Sequence, residues 1–204
     1  MKNGKVKEYY YNGKISFEGA YVKGKKNGKV KEYDYHGNLE FEGSYLNGKR
    51  NRKGKEYYNN KLRFEGKYLN GERNGKGKEY WSDGKLKFEG EYLNGKKNGK
   101  GKRYDIDGKL KFEGEYLKGE RNWKGKEYDK YIGKLIFEGE YLNGKRNGKG
   151  KEYNGNLITY KGEYLNGKRN GKGKEYFNYP KKIIFEGEYL NGKRWKGNRI
   201  LWEW

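Results

Sequence analysis

Along the chain, aromatic and aliphatic residues take every second position of short segments, and charged residues fill the positions between. Leu86, Phe88, Gly90 and Tyr92 alternate with Lys87, Glu89 and Glu91. A period of two is that of a half-buried β-strand. Frequent glycine, with no i, i+3, i+4 apolar pattern, argues against helix. Next comes Asn94-Gly95-Lys96-Lys97-Asn98-Gly99. Its two Asn-Gly steps predict a tight turn, because both residue types tolerate positive φ. A second strand is expected over 100–104, and Asp105-Ile106-Asp107-Gly108 supplies the turn into the next unit. Each unit therefore reads as one β-hairpin.

The phrase Phe-Glu-Gly-x-Tyr-Leu-x-Gly, with small variations, begins at Phe17, Phe41, Phe64, Phe88, Phe112, Phe137 and Phe185, with Tyr160 once in the Phe slot, at spacings of 23 to 25 residues. A fixed period of this size marks a stacked repeat array. The predicted fold class is all-β: an elongated, single-layer antiparallel meander of about eight stacked β-hairpin repeats. Each repeat would advance the sheet by ~10 Å, giving a ribbon of ~75–80 Å. One hairpin is unstable alone, so stability is expected from Phe and Tyr rings of neighbouring units. The recurring Gly of Glu-Gly (Gly43, Gly66, Gly90 and their equivalents) sits between Phe and Tyr. Its missing side chain would let a ring from the neighbouring strand lie flat over the backbone. The expected organisation is a half repeat or cap over 1–16, tandem repeats over 17–197, and a closing aromatic strand over 198–204. Ile200, Trp202 and Trp204 would share one face of that strand, either as a cap or as a docking edge.

The elements Tyr-x-x-Gly, Gly-x-Gly and Gly-x-Leu-x-Phe-Glu-Gly recur throughout, as in Tyr141-Leu142-Asn143-Gly144-Lys145-Arg146-Asn147-Gly148-Lys149-Gly150. On these motifs the chain resembles the MORN (membrane occupation and recognition nexus) repeat family, from about Lys5 to Gly197, in its variant form with Lys-Glu-Tyr after the second Gly. The resemblance implies a curled antiparallel sheet of consecutive hairpins, with scaffolding, protein-binding and membrane-associated roles. Departures stand out. Arg52, Trp123 and Trp195 replace the first Gly of Gly-x-Gly, Val30 replaces the second, Asn59-Asn60 lacks its turn Gly, and Pro180 interrupts the last inter-repeat turn. Trp123 and Trp195 would place aromatic anchors on hairpin loops, or else reflect the drift of variable loops.

Composition narrows the picture. A hydrophobic share of 31% is too small for a thick core, while 18% aromatic residues argue against disorder. A net charge of +22 favours acidic partners. Lys outnumbers Arg by 40 to 10, which suits solubility and general attraction more than specific phosphate recognition. There is no Cys, so no disulfide, thiolate metal site or thiol nucleophile is expected. The first residues lack the apolar stretch of a secretory signal, and no apolar run is long enough to span a bilayer. The expected location is intracellular, either free, peripheral to a membrane or within a viral particle.

Candidate chemistry is sparse. Glu-Gly-Glu pairs such as Glu89/Glu91 and Glu138/Glu140 recur in most units, and cross-strand pairing with Lys explains them better than acid–base catalysis. Gly144–Lys151 lacks the Ser/Thr and the helix of a phosphate loop. His36 is the sole histidine and occupies a turn. No catalytic, metal or cofactor site is expected, and the chain reads as a non-enzyme. The functional surface is expected at basic hairpin tips: Lys25/Lys26, Lys49/Arg50, Lys96/Lys97, Lys145/Arg146, Lys168/Arg169 and Lys193/Arg194. Such a row suits a scaffold or adaptor for other proteins, within a larger assembly such as a virus particle. The alternatives are an anionic membrane surface and, third, non-specific nucleic acid. Association of copies through the array ends is a further option.

Overall fold

A computed structural model describes residues 1–177 and 182–199. The expectations placed on Pro180, Ile200, Trp202 and Trp204 lie outside the described residues. Among the described residues there are 17 strands, paired antiparallel, and no helix. The chain divides into two compact units, Met1–Gly99 with Ile106–Gly108, and Lys100–Asp105 with Lys109–Trp204. The first holds β1 (Gly4–Tyr9), β2 (Ile15–Val22), β3 (Lys25–Tyr33), β4 (Leu39–Leu46), β5 (Lys49–Tyr58), β6 (Lys61–Leu69), β7 (Glu72–Tyr80) and β8 (Leu86–Leu93). The division falls within β9 (Lys96–Tyr104). The second holds β10 (Leu110–Leu117), β11 (Glu120–Tyr128), β12 (Leu135–Leu142), β13 (Lys145–Asn154), β14 (Leu157–Leu165), β15 (Lys168–Phe177), β16 (Lys182–Leu190) and β17 (Lys193–Arg199). Within each unit, consecutive strands pair, so the hairpins form a meander.

Most hairpins close on the first Asn-Gly step, and Lys23-Gly24 and Lys118-Gly119 take its place in two of them. Leu142 pairs with Lys145 across Asn143 (φ 48) and Gly144 (φ 80), the left-handed pair that a tight two-residue hairpin demands. The second Asn-Gly step is not part of this turn, contrary to the sequence expectation. It lies inside the returning strand, in a bulge. Between Gly139↔Gly150 and Tyr141↔Arg146, the single Glu140 faces Asn147, Gly148 and Lys149. The Glu140 carboxylate accepts the Lys149 amide at 3.1 Å, which closes the bulge. The returning strand is therefore longer than expected, starting directly after the turn.

Three of the departures in the motif fall at the bulge. Arg52 (φ 62) and Trp123 (φ 58) adopt the left-handed backbone that Gly148 (φ 84) holds without strain. Both stand within strands, not on loops, which corrects the loop placement of Trp123. Trp195 lies within β17, again off the loop. There Tyr189↔Arg194 is followed by Glu188↔Lys196, so Trp195 alone forms the bulge and needs no left-handed φ.

The core is one aromatic row per unit. Phe41, Phe64, Phe88, Phe112, Phe137 and Tyr160 are fully buried. The rings of Phe41, Phe64, Phe112, Phe137 and Tyr160 each lie over glycines of two strands. A Cβ added at Gly66 or Gly77 would come within 2.6 or 2.5 Å of Phe64 Cζ. At Gly66 the ring over the glycine comes from its own strand, two residues earlier, which corrects the neighbouring-strand expectation. At Gly77, which that expectation did not cover, the ring comes from the neighbouring strand. Phe64 meets Tyr68 edge-on at 5.7 Å and Tyr92 of the next repeat at 5.3 Å, and Phe137 meets Tyr141 and Tyr164 at 5.6 and 5.2 Å. Each such pair contributes about 0.5–1.5 kcal/mol beyond burial. Val30 fills one glycine position and is itself buried. Beside it, Tyr45 stays half-buried, unlike Tyr68 and Tyr92.

Candidate binding surface

The basic pairs divide by face. Alternate residues of a strand point to opposite sides, and Arg146 pairs directly with Tyr141, so Arg146 joins the aromatic face. Its guanidinium lies 4.0 Å from the Phe137 ring centroid. Arg50, Arg169 and Lys97 cover Phe41, Tyr160 and Phe88 at 4.0, 4.1 and 4.2 Å, and Arg194 covers Phe185 at 4.8 Å. Arg73 and Arg121, outside the predicted set, do the same over Phe64 and Phe112. These second members were expected at the tips; they are instead part of the cover over the core.

They also form an ion ladder with the Glu of Lys-Glu-Tyr. Arg146 contacts Glu127 at 2.5 Å and Glu152 at 3.9 Å, and Arg169 contacts Glu152 at 2.5 Å and Glu175 at 2.8 Å. In the first unit Arg50 reaches Glu32 at 3.0 Å and Glu56 at 3.8 Å, Arg73 pairs with Glu56 and with Glu79 at 3.2 Å, and Lys97 reaches Glu79 at 3.0 Å. Arg194 pairs with Glu175. The core tyrosines complete the ladder: Tyr68 and Tyr164 donate to Glu56 and Glu152 at 2.6 Å, and Tyr141 donates to Glu127 at 2.9 Å. Burial disfavours ionisation of Glu56, but Arg73 and the Tyr68 hydroxyl outweigh it and hold the carboxyl below its usual range. The same balance, against Arg146 and Tyr141, holds Glu127 low. Burial pushes the Tyr45 phenol up to about 12.

The opposite face is also tied down. Tyr57, Tyr80 and Tyr128 donate to Glu42, Glu65 and Glu113 at 2.7, 2.6 and 2.6 Å. Lys55 and Lys174 approach Glu42 and Glu186 at 3.5 and 2.8 Å. The two glutamates of Glu-Gly-Glu thus have separate partners: Glu138 takes the Tyr153 hydroxyl, while Glu140 takes the bulge amide. Cross-strand Lys accounts for only part of this pairing. Among the described residues, no group of three or more acidic or histidine side chains could hold a metal. His36 is exposed, with its backbone amide bonded to Asp34.

What stays open is the hairpin edge. Lys49, Lys96, Lys145, Lys168 and Lys193 are exposed, and none joins an ion pair among the described residues. Beside them stand Val22, Leu46, Leu69, Leu93, Leu142, Leu165 and Leu190, each 47–51% exposed. These residues were missed although plain alternation places them: Leu142 follows buried Tyr141 and so faces the other way. Trp123 and Trp195 are 49% and 56% exposed, while Trp202 and Trp204 fall outside the described residues. The edge is rigid. The amides of Gly144, Gly167 and Gly192 donate to the carbonyls of Arg121, Arg146 and Arg169 in the preceding hairpin at 2.9, 2.8 and 2.8 Å.

This arrangement defines a hairpin-repeat protein whose surfaces recur instead of converging on one pocket. The MORN repeat profile matches residues 17–29, 41–63, 64–85, 88–109, 137–156 and 160–178, more than half of the chain. The chain belongs to the MORN repeat family. No curated protein matches it. The matches pass over the hairpin that starts at Phe112, where Trp123 breaks the motif, yet Phe112 is fully buried there and Gly114 pairs with Gly125 as elsewhere. MORN repeats are generally found in proteins that bind other proteins or membranes. Among the described residues no helix is long and apolar enough to cross a membrane.

Proposed function

We propose that this chain is a non-enzymatic scaffold or adaptor that binds another protein through copies of one hairpin edge. One observation carries the reading: the aromatic face spends its cations on its own glutamates, whereas Lys49, Lys96, Lys145, Lys168 and Lys193 remain exposed beside half-exposed leucines. Many weak copies on a rigid support act together, since the second contact becomes intramolecular once the first is made. In this reading 1–16 is a half repeat, 17–197 is the binding array and 198–204 closes it. The setting is the cell interior or a larger assembly such as a virus particle.

The test compares the full chain with a variant carrying Lys→Glu at those five lysines, by affinity capture from the native source with quantitative mass spectrometry. The scaffold reading expects a defined protein set held by the native chain and lost by the variant. An unchanged set would overturn it. Peripheral attachment to an anionic membrane is the second reading, favoured by the same lysines. Each could contribute about 1 kcal/mol near such a surface. Flotation with phosphatidylserine vesicles at low and high salt checks it, and no binding at low salt removes it.

A further inference from the structure

The edge of the second unit has a regular chemical spacing. Leu142↔Lys145, Leu165↔Lys168 and Leu190↔Lys193 close three successive hairpins. Directly opposed residues of an antiparallel pair share a face. Here it is the face away from the aromatic core, because each leucine directly follows a core tyrosine. Strands ~4.8 Å apart set successive leucines about 10 Å apart, with a lysine about 5 Å from each. An α-helix returns to one face every seven residues, about 10.5 Å along its axis, and residues three or four apart lie about 4.5–6 Å apart.

Resting on the scaffold reading, we infer that this edge docks an acidic amphipathic α-helix of the partner protein, laid across the strands. One apolar residue per heptad meets each of Leu142, Leu165 and Leu190. A carboxylate three or four residues further on meets each of Lys145, Lys168 and Lys193. The net charge of +22 attracts such a helix, and the hydrogen bonds that fix each turn to the hairpin before it hold the row at constant spacing. A bilayer would respond to charge and apolar content alone; a helix also reads the period. Sheet twist turns each strand by roughly 20–25° from the last, which limits the match to these few hairpins.

The probe is a labelled peptide of three heptads with Leu at the first position and Glu at the fourth and fifth. Its control has the same composition with the leucine period broken. Fluorescence anisotropy with the full chain is expected to show binding at least about tenfold tighter for the periodic peptide. The triple variant L142D/L165D/L190D, and a milder Leu→Ser version in case the first fails to fold, should lose that preference while keeping the native strand signal by circular dichroism. Equal binding of the two peptides, or a preference unchanged in the folded variant, overturns the inference. So does binding to phosphatidylserine vesicles with no binding to either peptide. If the five-lysine variant loses its partners while peptide period makes no difference, the scaffold reading stands and only the helix is wrong.

Discussion

Gly77→Ala tests the contact on which the core depends. The new methyl would lie 2.5 Å from Cζ and 2.7 Å from Cε2 of Phe64, and 3.3 Å from the Glu65 carbonyl oxygen. Carbon atoms rest at about 3.5–4.0 Å, so the ring must withdraw by about 1 Å. It has nowhere to go, because Phe64 is fully buried, flanked by Tyr68 and Tyr92 and covered by Arg73 at 4.0 Å. Overpacking of this kind costs about 1–3 kcal/mol, and loosening two edge-on pairs adds a further share of about 0.5–1.5 kcal/mol each. The backbone at Gly77 is not left-handed, so alanine by itself would stabilise by about 0.4–1 kcal/mol. The expected net loss is about 2–3 kcal/mol. Urea unfolding followed by circular dichroism measures it, and amide exchange over β6–β8 localises it. Phe64→Leu removes the clashing ring edge at its own cost of about 1–2 kcal/mol. The double variant should then be at least about 1 kcal/mol more stable than the sum of the singles. A Gly77→Ala change within about 0.5 kcal/mol of the native chain, or strict additivity with Phe64→Leu, would refute the ring-on-glycine packing.

Arg52→Gly and Trp123→Gly should each stabilise by about 0.5–1 kcal/mol in urea unfolding, because glycine relieves a left-handed backbone at some cost in chain entropy. Arg146→Ala should destabilise by about 2–3 kcal/mol, since it uncovers Phe137 and strands the half-buried Glu127, whereas Lys145→Ala should change stability by under about 0.5 kcal/mol. Glu32, Glu56, Glu79, Glu127, Glu152 and Glu175 all have carboxyls lowered from 4.5. Their contribution is therefore present above pH 4.5 and is lost as pH falls through the lower folded-state values. Tyr45 and Tyr160 are raised from 10.0 to about 12, so their contribution is present below pH 10 and is lost as pH rises towards 12. Thermal melts across both limbs should show a plateau between them. Full stability retained well below pH 4.5 would contradict the ladder.

The fold was legible because one short rule, alternation by two, repeats at a fixed period. Leu86, Phe88, Gly90 and Tyr92 place themselves on one face with no further information. The bulge was not legible. Asn98-Gly99 has the same dipeptide chemistry as Asn94-Gly95, and both glycines are left-handed. Only the pairing of partner strands separates a turn from a bulge, and that is set by which register buries the rings. Tyr45 shows the limit of repeat symmetry. Its slot is the same as that of Tyr68, but Val30 fills the neighbouring glycine space and the tyrosine remains half-buried.

The hairpin edge was half legible, and the missing half has a consequence for charge. Two adjacent basic residues look equivalent in a sequence, but a strand sends them to opposite faces. Counting back across the two-residue turn pairs Arg146 with Tyr141 and Lys145 with Leu142, so the aromatic residue takes the guanidinium and the leucine takes the ammonium. That division suits the chemistry. A planar guanidinium can stack on Phe137 while bonding Glu127 and standing 3.9 Å from Glu152, whereas a hydrated ammonium keeps its water at the edge. Where Lys97 replaces Arg, it still covers Phe88 and pairs with Glu79, which shows that the position, not the residue type, assigns the inward role. The tip charge open to a partner is therefore at most one lysine per hairpin, with Glu72 and Glu120 taking that place opposite Leu69 and Leu117, and each lysine stands next to an apolar side chain. A surface of that kind recognises an amphipathic partner better than a bare polyanion, which would engage the lysines and leave the leucines in water.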